Sequence, residues 1–475
     1  LSLYPSYDAV VVGSGPNGLA AAITLQQRGL QVLLLEAKGT IGGGMRTAEL
    51  TLPGFHHDIC SAVHPMGVAS PFLRSLPLQD FGLEYIHPEV LAAHPFDDGS
   101  AGALYQSLDT TAIYSGTDGK AYRTLFEPLV RNWPQIDTHI LGPMLKIPAN
   151  PFRLAAFGLK SLQSGKQIAA RFQTRELRGL WAGIVAHSMI PLENLTSSAI
   201  AFVLTIAGHR RGWPIPKGGS QSIANALASY FQSLGGTIRT HTEVQMLDDL
   251  PDAKAVLFDV SAKQLLTICG NRLSSLYRWQ LKRHKYGMGV FKIDWALSEP
   301  VPFRSEAARK AGTVHLGGTF EEVANGERQV WQGKHPTKPF VLFAQQSIFD
   351  DSRAPGGKHT GWAYCHVPNG STKDMTQAII DQVERFAPGF RDTILATHTF
   401  NTTEMETYNP NYIGGDINGG VVNIAQLFNR PALRFSPYRT SAKGIYICSA
   451  STPPGGGVHG MGGYYAAMQV LKDIF

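Results

Sequence analysis

Apolar residues open the chain as an unbroken run, Ala9-Val10-Val11-Val12, and return as Val32-Leu33-Leu34-Leu35 after an alanine-rich stretch from Leu19 to Leu25. Solid runs of this length suit strands buried on both faces, and the stretch between them has the length and composition of a helix. Residues 7–36 are therefore expected to form a strand–helix–strand unit of a parallel sheet, with Gly29 where the helix should stop. Downstream, Ile223, Leu227, Tyr230, Phe231 and Leu234 recur at helical spacing, with Ser220 as the expected N-cap and Gly235-Gly236 as the stop. Thr237 to Val244 then reads as a strand, and Ile445-Tyr446-Ile447-Cys448 as another, followed by a glycine-rich turn and a small-residue helix. The three blocks 1–75, 213–262 and 425–475 share this character, whereas 76–212 and 263–424 mix polar stretches, prolines and aromatics. The expectation is an α/β protein: a discontinuous nucleotide-binding domain with a second, α+β domain inserted into it.

At 475 residues the chain exceeds what one core usually serves, which agrees with two domains. Its longest apolar runs, such as Ala199 to Ala207, are about half of a membrane span. Cys60, Cys269, Cys365 and Cys448 form no CxxC pair, which argues against a dithiol site, a zinc cluster or a disulfide framework. No grouping of histidines and acids suggests a metal, and no GxSxG supports an acyl-transfer triad.

The net charge of +6 is unevenly spread. No acid lies between Asp137 and Glu176, where Lys146, Arg153, Lys160, Lys166, Arg171 and Arg175 alternate with Leu145, Ile147, Phe152, Leu154, Phe157, Leu159, Leu162, Ile168 and Phe172. This mixture suits an anionic membrane surface better than nucleic acid, the plainer alternative being a solvated basic face over an ordinary core. A cytoplasmic or peripheral-membrane protein is expected, and a start at Leu1 leaves an upstream organellar targeting segment open.

The first strand feeds Gly13-Ser14-Gly15-Pro16-Asn17-Gly18, a GxGxxG turn. Gly13 permits the tight turn, Gly15 the approach of a pyrophosphate, and Gly18 close packing of the helix, whose start faces the phosphates. Glu36 and Ala37 end the next strand, where a carboxylate can hold ribose hydroxyls. Near the other terminus lies a second cradle, Pro454-Gly455-Gly456-Gly457-Val458-His459-Gly460-Met461. A helix start there would stabilise the negative charge of a reduced flavin, so its glycines are expected to let that helix touch the ring. FAD is long enough to need both cradles.

Gly42-Gly43-Gly44-Met45-Arg46, soon after Glu36, separates FAD from NAD. Here the chain resembles the flavoprotein class of amine oxidases, phytoene desaturases and carotenoid isomerases, in which such a segment wraps the FAD pyrophosphate, although there the Arg directly follows the glycine pair. Leu52-Pro53-Gly54-Phe55 and Ile215-Pro216-Lys217-Gly218-Gly219 resemble the carotenoid desaturase branch. The terminal glycines, with Tyr408-Asn409-Pro410, Gly414-Gly415-Asp416 and Arg430-Pro431, resemble the phytoene desaturase-like group that contains pyridine nucleotide-disulphide oxidoreductase domain-containing protein 2. The resemblance implies a Rossmann-type FAD-binding domain, adenine contact through the Val244 backbone, and Ser449 beside the cofactor where these families commonly have glycine.

A second strand-GxGxxG-helix is missing, which argues against stable NAD(P)H binding and leaves oxygen or a quinone as electron acceptor. The resemblance points to desaturation, oxidation or isomerisation of a long apolar, carotenoid- or lipid-like substrate, by hydride transfer to flavin N5. Alternatives are a redox-neutral isomerase, a membrane-associated flavin-binding interaction protein, and an amine oxidase with an aromatic cage. His64, His187, His209 and His459 are candidates for proton transfer, His459 foremost because it lies within the second cradle. Oligomeric state is not legible.

Overall fold

The structure, a computed structural model, describes residues 7–143 and 147–475, so Leu145 and Lys146 of the basic window lie outside the described residues. The expected unit forms: strand Tyr7–Val12, helix Pro16–Gln26 and strand Val32–Leu35. Both strands belong to a five-stranded sheet in the order Ile445–Ile447, Ala253–Phe258, Tyr7–Val12, Val32–Leu35, Thr237–Arg239. Every pairing in it is parallel. Such a sheet must be covered on both faces, which is why its strands read as solid apolar runs.

Helix Pro16–Gln26 is buried on nearly all sides and packs against helices Gln221–Ser233 and Met461–Asp473. The last contact is one of backbones: a Cβ on Gly463 would stand 1.8 Å from the Asn17 carbonyl oxygen. The start of helix Met461–Asp473 is closed by the first helix, with Gly463 N donating to Asn17 Oδ1 and Met461 N to His459 Nδ1.

Two smaller expectations also change. Thr237–Arg239 is all that pairs of the expected strand to Val244, because His241 adopts a left-handed φ of 54° just beyond it. Ser220 stands at the helix start without capping it, its hydroxyl donating instead to Ser61 O.

The second layer is a seven-stranded mixed sheet in the order Ile394–Phe400, Gly289–Leu297, His359–Val367, Val341–Ala344, Ala311–Leu316, Val90–Pro95, Ala101–Tyr105. Only Ala311–Leu316 and Val90–Pro95 pair in parallel. Asp58 ties this layer to the first. Its fully buried carboxylate meets Arg353 at 2.8 Å and accepts from Thr47 Oγ1 and Ser220 N, both at 2.7 Å. Among the described residues no helix is long and apolar enough to cross a membrane.

Candidate active site

At the end of strand Tyr7–Val12 the chain passes through Gly13 at φ 99°, a conformation that favours glycine. A Cβ on Gly13 would stand 2.9 Å from Asp259 O, one on Gly15 2.6 Å from Asp259 Oδ2, and one on Gly18 1.9 Å from Gly13 O. Bare backbone therefore seals this turn, and Pro16 opens the helix behind it.

The turn forms one end of a cavity of ≈ 1180 Å³. Sites for one drug-sized ligand run to roughly 300–1,000 Å³, so there is room for a large ligand and part of a second. Gly13, Gly15, Pro16, Asn17, Glu36, Ala37, Gly43, Gly44, Arg46 and Val244 line this end. Ser449, Gly455, Gly456, Val458 and His459 line the same cavity beside Met66 and Gly67. Beyond them an arm is walled by Ile140, Leu141, Leu154, Phe157, Leu162, Ile200, Val203, Leu204 and Trp213, and floored by Thr313, Leu342, Trp362 and Tyr364 of the seven-stranded sheet.

Gly18, Gly42, Met45, Gly460 and Met461, also among the expected cofactor residues, stand behind the lining of this cavity, Gly18 in the close helix packing expected of it. Gly42 N donates to Ser14, Met45 is fully buried, and a Cβ on Gly460 would meet the Ala20 methyl at 2.9 Å. The helix that was expected to touch a flavin is thus held against helix Pro16–Gln26, and the loop before it supplies the cavity wall.

Glu36 is buried and its carboxylate is at capacity. One oxygen accepts from Ser14 N at 3.1 Å and Ser14 Oγ at 2.5 Å, the other from Lys38 N at 2.9 Å and Arg46 Nη2 at 3.0 Å. A carboxylate offers about four such positions, so a ribose hydroxyl entering here must displace a side-chain donor, Ser14 Oγ or Arg46.

Asp259, which the sequence reading did not single out, lines the cavity at the same turn. It follows the apolar run Ala255 to Phe258 as Glu36 follows Val32 to Leu35, and strand ends on this edge are where ligands of such sheets bind. Its Oδ2 accepts from Gly18 N at 2.8 Å, placing a buried acid where the helix start was expected to offer a free N–H. Burial pushes the carboxyl up to about 7, the Gly18 N–H opposes this, and the nearby Glu36 adds to it.

The histidine candidates divide. His459 Nδ1 accepts from Met461 N and its Nε2 faces Gly455 O at 3.2 Å, so both ring nitrogens are engaged by backbone; burial brings it down to about 4. That arrangement holds the loop in shape and leaves no lone pair for proton transfer. His209 bonds Tyr122 Oη and Gln106 O away from the cavity, while His64 lines it and bonds Ser220 Oγ at 2.8 Å. His187 lines the arm and is paired with His315.

A family model described as flavin containing amine oxidoreductase matches residues 17–461. Pyridine nucleotide-disulfide oxidoreductase domain-containing protein 2 of Mus musculus is 24% identical, over 99% of this chain and 94% of that protein. The phytoene desaturase (lycopene-forming) of Paracoccus sp. is 23% identical, over 98% of this chain and 97% of its own. An oxidoreductase of known structure from Methanosarcina mazei superimposes with a TM-score of 0.63 at 17% identity, covering 98% of this chain and 99% of that one. Together with the sheet order, these matches establish the expected Rossmann-type fold with an additional substrate-binding domain.

The position of Asp259 has a measurable consequence in the cofactor-free protein. Its folded pKa of about 7 lies above the ordinary 3.8, so its contribution to stability is full below pH 4 and lost as pH rises towards 7. Thermal unfolding of wild type and Asp259→Asn should give curves whose separation shifts in favour of the variant between pH 4 and 7. A separation that stays constant across that window would contradict a proton on Asp259.

Proposed function

Because the chain belongs to the flavin containing amine oxidoreductase family, we propose that it is an FAD-dependent oxidoreductase of the phytoene desaturase-like branch that oxidises, desaturates or isomerises an apolar substrate. The observation that carries this reading is the distribution of charge along the cavity. The acids that line it, among the described residues, are Glu36, Glu243 and Asp259, and all stand at the glycine-turn end. An ammonium in the arm would be desolvated without a counter-ion there, a cost that a hydrocarbon does not meet.

The residues fit FAD. Gly13, Gly15 and Gly43 leave a cradle without side chains, Glu36 and Val244 suit the adenosine, and Ser449, Gly455, Gly456 and Val458 suit the isoalloxazine. Asp259 fits once protonated, when it can donate to a phosphate oxygen rather than repel it. Bound FAD supplies a two-electron acceptor for a hydride leaving substrate carbon. The protein orients the substrate along the arm, excludes water with its apolar walls, and holds His459 neutral as a positioning group. The segments 1–75, 213–262 and 425–475 make the cofactor domain and 76–212 with 263–424 the substrate domain. In support, the five-stranded sheet draws its strands from the first set and the seven-stranded sheet from the second.

We further propose an anionic membrane surface as the partner of helix Pro151–Ser161, which contributes to the arm. Helix Pro151–Ser161 turns Leu154 and Phe157 to the cavity, yet Phe152 and Leu159 on its other side are 89% and 69% exposed. A helix apolar on both faces needs cover, and its charged residues, Arg153 and Lys160, are both basic.

Two measurements test this reading. Anaerobic mixing of the FAD-loaded protein with an apolar compound extracted from it should bleach the flavin absorbance, whereas NADH and NADPH should not. Bleaching by nicotinamide alone would make the protein a reductase, and turnover of double-bond geometry without bleaching would make it an isomerase. In liposome flotation, binding should rise with anionic lipid and weaken with salt. Equal failure on neutral and anionic vesicles would return helix Pro151–Ser161 to an ordinary surface.

A further inference from the structure

One wall of the arm is not apolar. His187, immediately after helix Arg175–Ala186, lines it, and its Nε2 lies 3.0 Å from Nε2 of His315 on strand Ala311–Leu316. Two residues along that strand, and so on the same face of the sheet, is Thr313. Thr313 also lines the arm, is only 2% exposed, and its hydroxyl has no hydrogen-bond partner among the described residues. Buried polar groups are normally satisfied, so an unpartnered hydroxyl on a cavity wall marks a position where a ligand can complete the set.

The proton positions of the histidine pair follow from its surroundings. Burial lowers His187 to about 3 and holds His315 well below its ordinary range, so both rings are neutral and share a single N–H between their Nε2 atoms. Were His187 the donor, His315 would carry its proton on Nδ1. That atom is buried, unpartnered and packed on Gly183, where a Cβ would approach it to 2.5 Å. Were His315 the donor, its Nδ1 would hold only a lone pair, and His187 would carry its proton on Nδ1. An orphaned buried N–H is rarer than an under-used acceptor, so the second arrangement is favoured. Among the described residues His187 Nδ1 has no hydrogen-bond partner and, unlike His315 Nδ1, it is not sealed from solvent. It therefore offers an N–H to whatever occupies the arm.

We infer that His187 and Thr313 form a subsite for a carbonyl oxygen on an otherwise apolar substrate, His187 Nδ1–H and Thr313 Oγ–H both donating to it. This rests on the reading of the cavity arm as the substrate site and narrows its substrate class from a hydrocarbon to an oxygenated terpenoid- or lipid-like molecule. His315 acts through His187, as the group that fixes its tautomer.

The test uses β-ionone, a conjugated ketone, and its hydrocarbon counterpart with a methylene in place of the carbonyl oxygen, each titrated calorimetrically into the FAD-loaded protein. Wild type should bind the ketone at least tenfold more tightly. His187→Leu should remove that preference by weakening the ketone while leaving the hydrocarbon unchanged, which also reports an intact cavity. His187→Asn, which can place an N–H near the position of Nδ1, should restore part of it, and Thr313→Val should lose part of it. Equal affinities in wild type would overturn the carbonyl subsite and leave the apolar reading standing, and binding of neither compound would overturn both. Should His187→Leu fail to fold, the wild-type comparison with Thr313→Val still decides the matter.

Discussion

Four segments meet at one point with almost no side chains between them: the Gly13 turn, the start of helix Pro16–Gln26, the end of strand Ala253–Phe258 and the start of helix Met461–Asp473. Added Cβ atoms at Gly18 and Gly463 would stand 1.9 Å and 1.8 Å from backbone carbonyl oxygens, distances that no rotamer change relieves. The rest of the architecture depends on this closeness. It brings residues 13–17, 259 and 455–459, hundreds of positions apart, into one cavity, and it holds the last helix so that the preceding loop, rather than the helix itself, lines that cavity. Asp259 is the polar part of the same constraint, tying the sheet edge to the helix start through Gly18 N.

The cavity then sorts chemistry by position. Charge collects at the glycine turn, where Arg46 pairs with Glu36 and Asp259 stands close to that carboxylate, and an anionic, hydroxyl-rich ligand can exchange for existing hydrogen bonds. The arm carries no carboxylate among its described lining residues, and its histidine is neutral. Hydride removal from an apolar molecule is favoured by a dry compartment, because water there would trap the cation left on carbon. The His187 and Thr313 wall is where we infer polar recognition, with Thr313 on the seven-stranded sheet and His187 held by His315 of the same strand.

What could be read from the sequence was what local pattern determines. The strands ending at Val12 and Leu35 and the turn at Gly13 are short-range signals, and each lies where the pattern placed it. What escaped depends on distant partners. Asp259 gains its meaning only from Gly15 and Gly18, some 240 positions away in sequence. The packing of Gly460 and Gly463 against helix Pro16–Gln26 could not be read locally, and Ser220 is drawn from its cap by Ser61 and His64. The apolar arm was invisible because its walls come from helices near 140–204 and its floor from strands at 311–367. Exposure of Phe152 and Leu159 likewise emerges only from the fold, since helical spacing alone could have buried them.

The central claim is that one cavity binds an extended dinucleotide at both ends. Calorimetric titration of the cofactor-free protein with FAD, FMN and ADP tests it most directly. The expected result is tight, stoichiometric binding of FAD, with ADP and FMN each binding measurably but orders of magnitude more weakly, as for fragments that fill one end each. FMN binding as tightly as FAD would show that the glycine turn and Glu36 hold nothing, and the account of the fold as a two-ended cradle would be wrong.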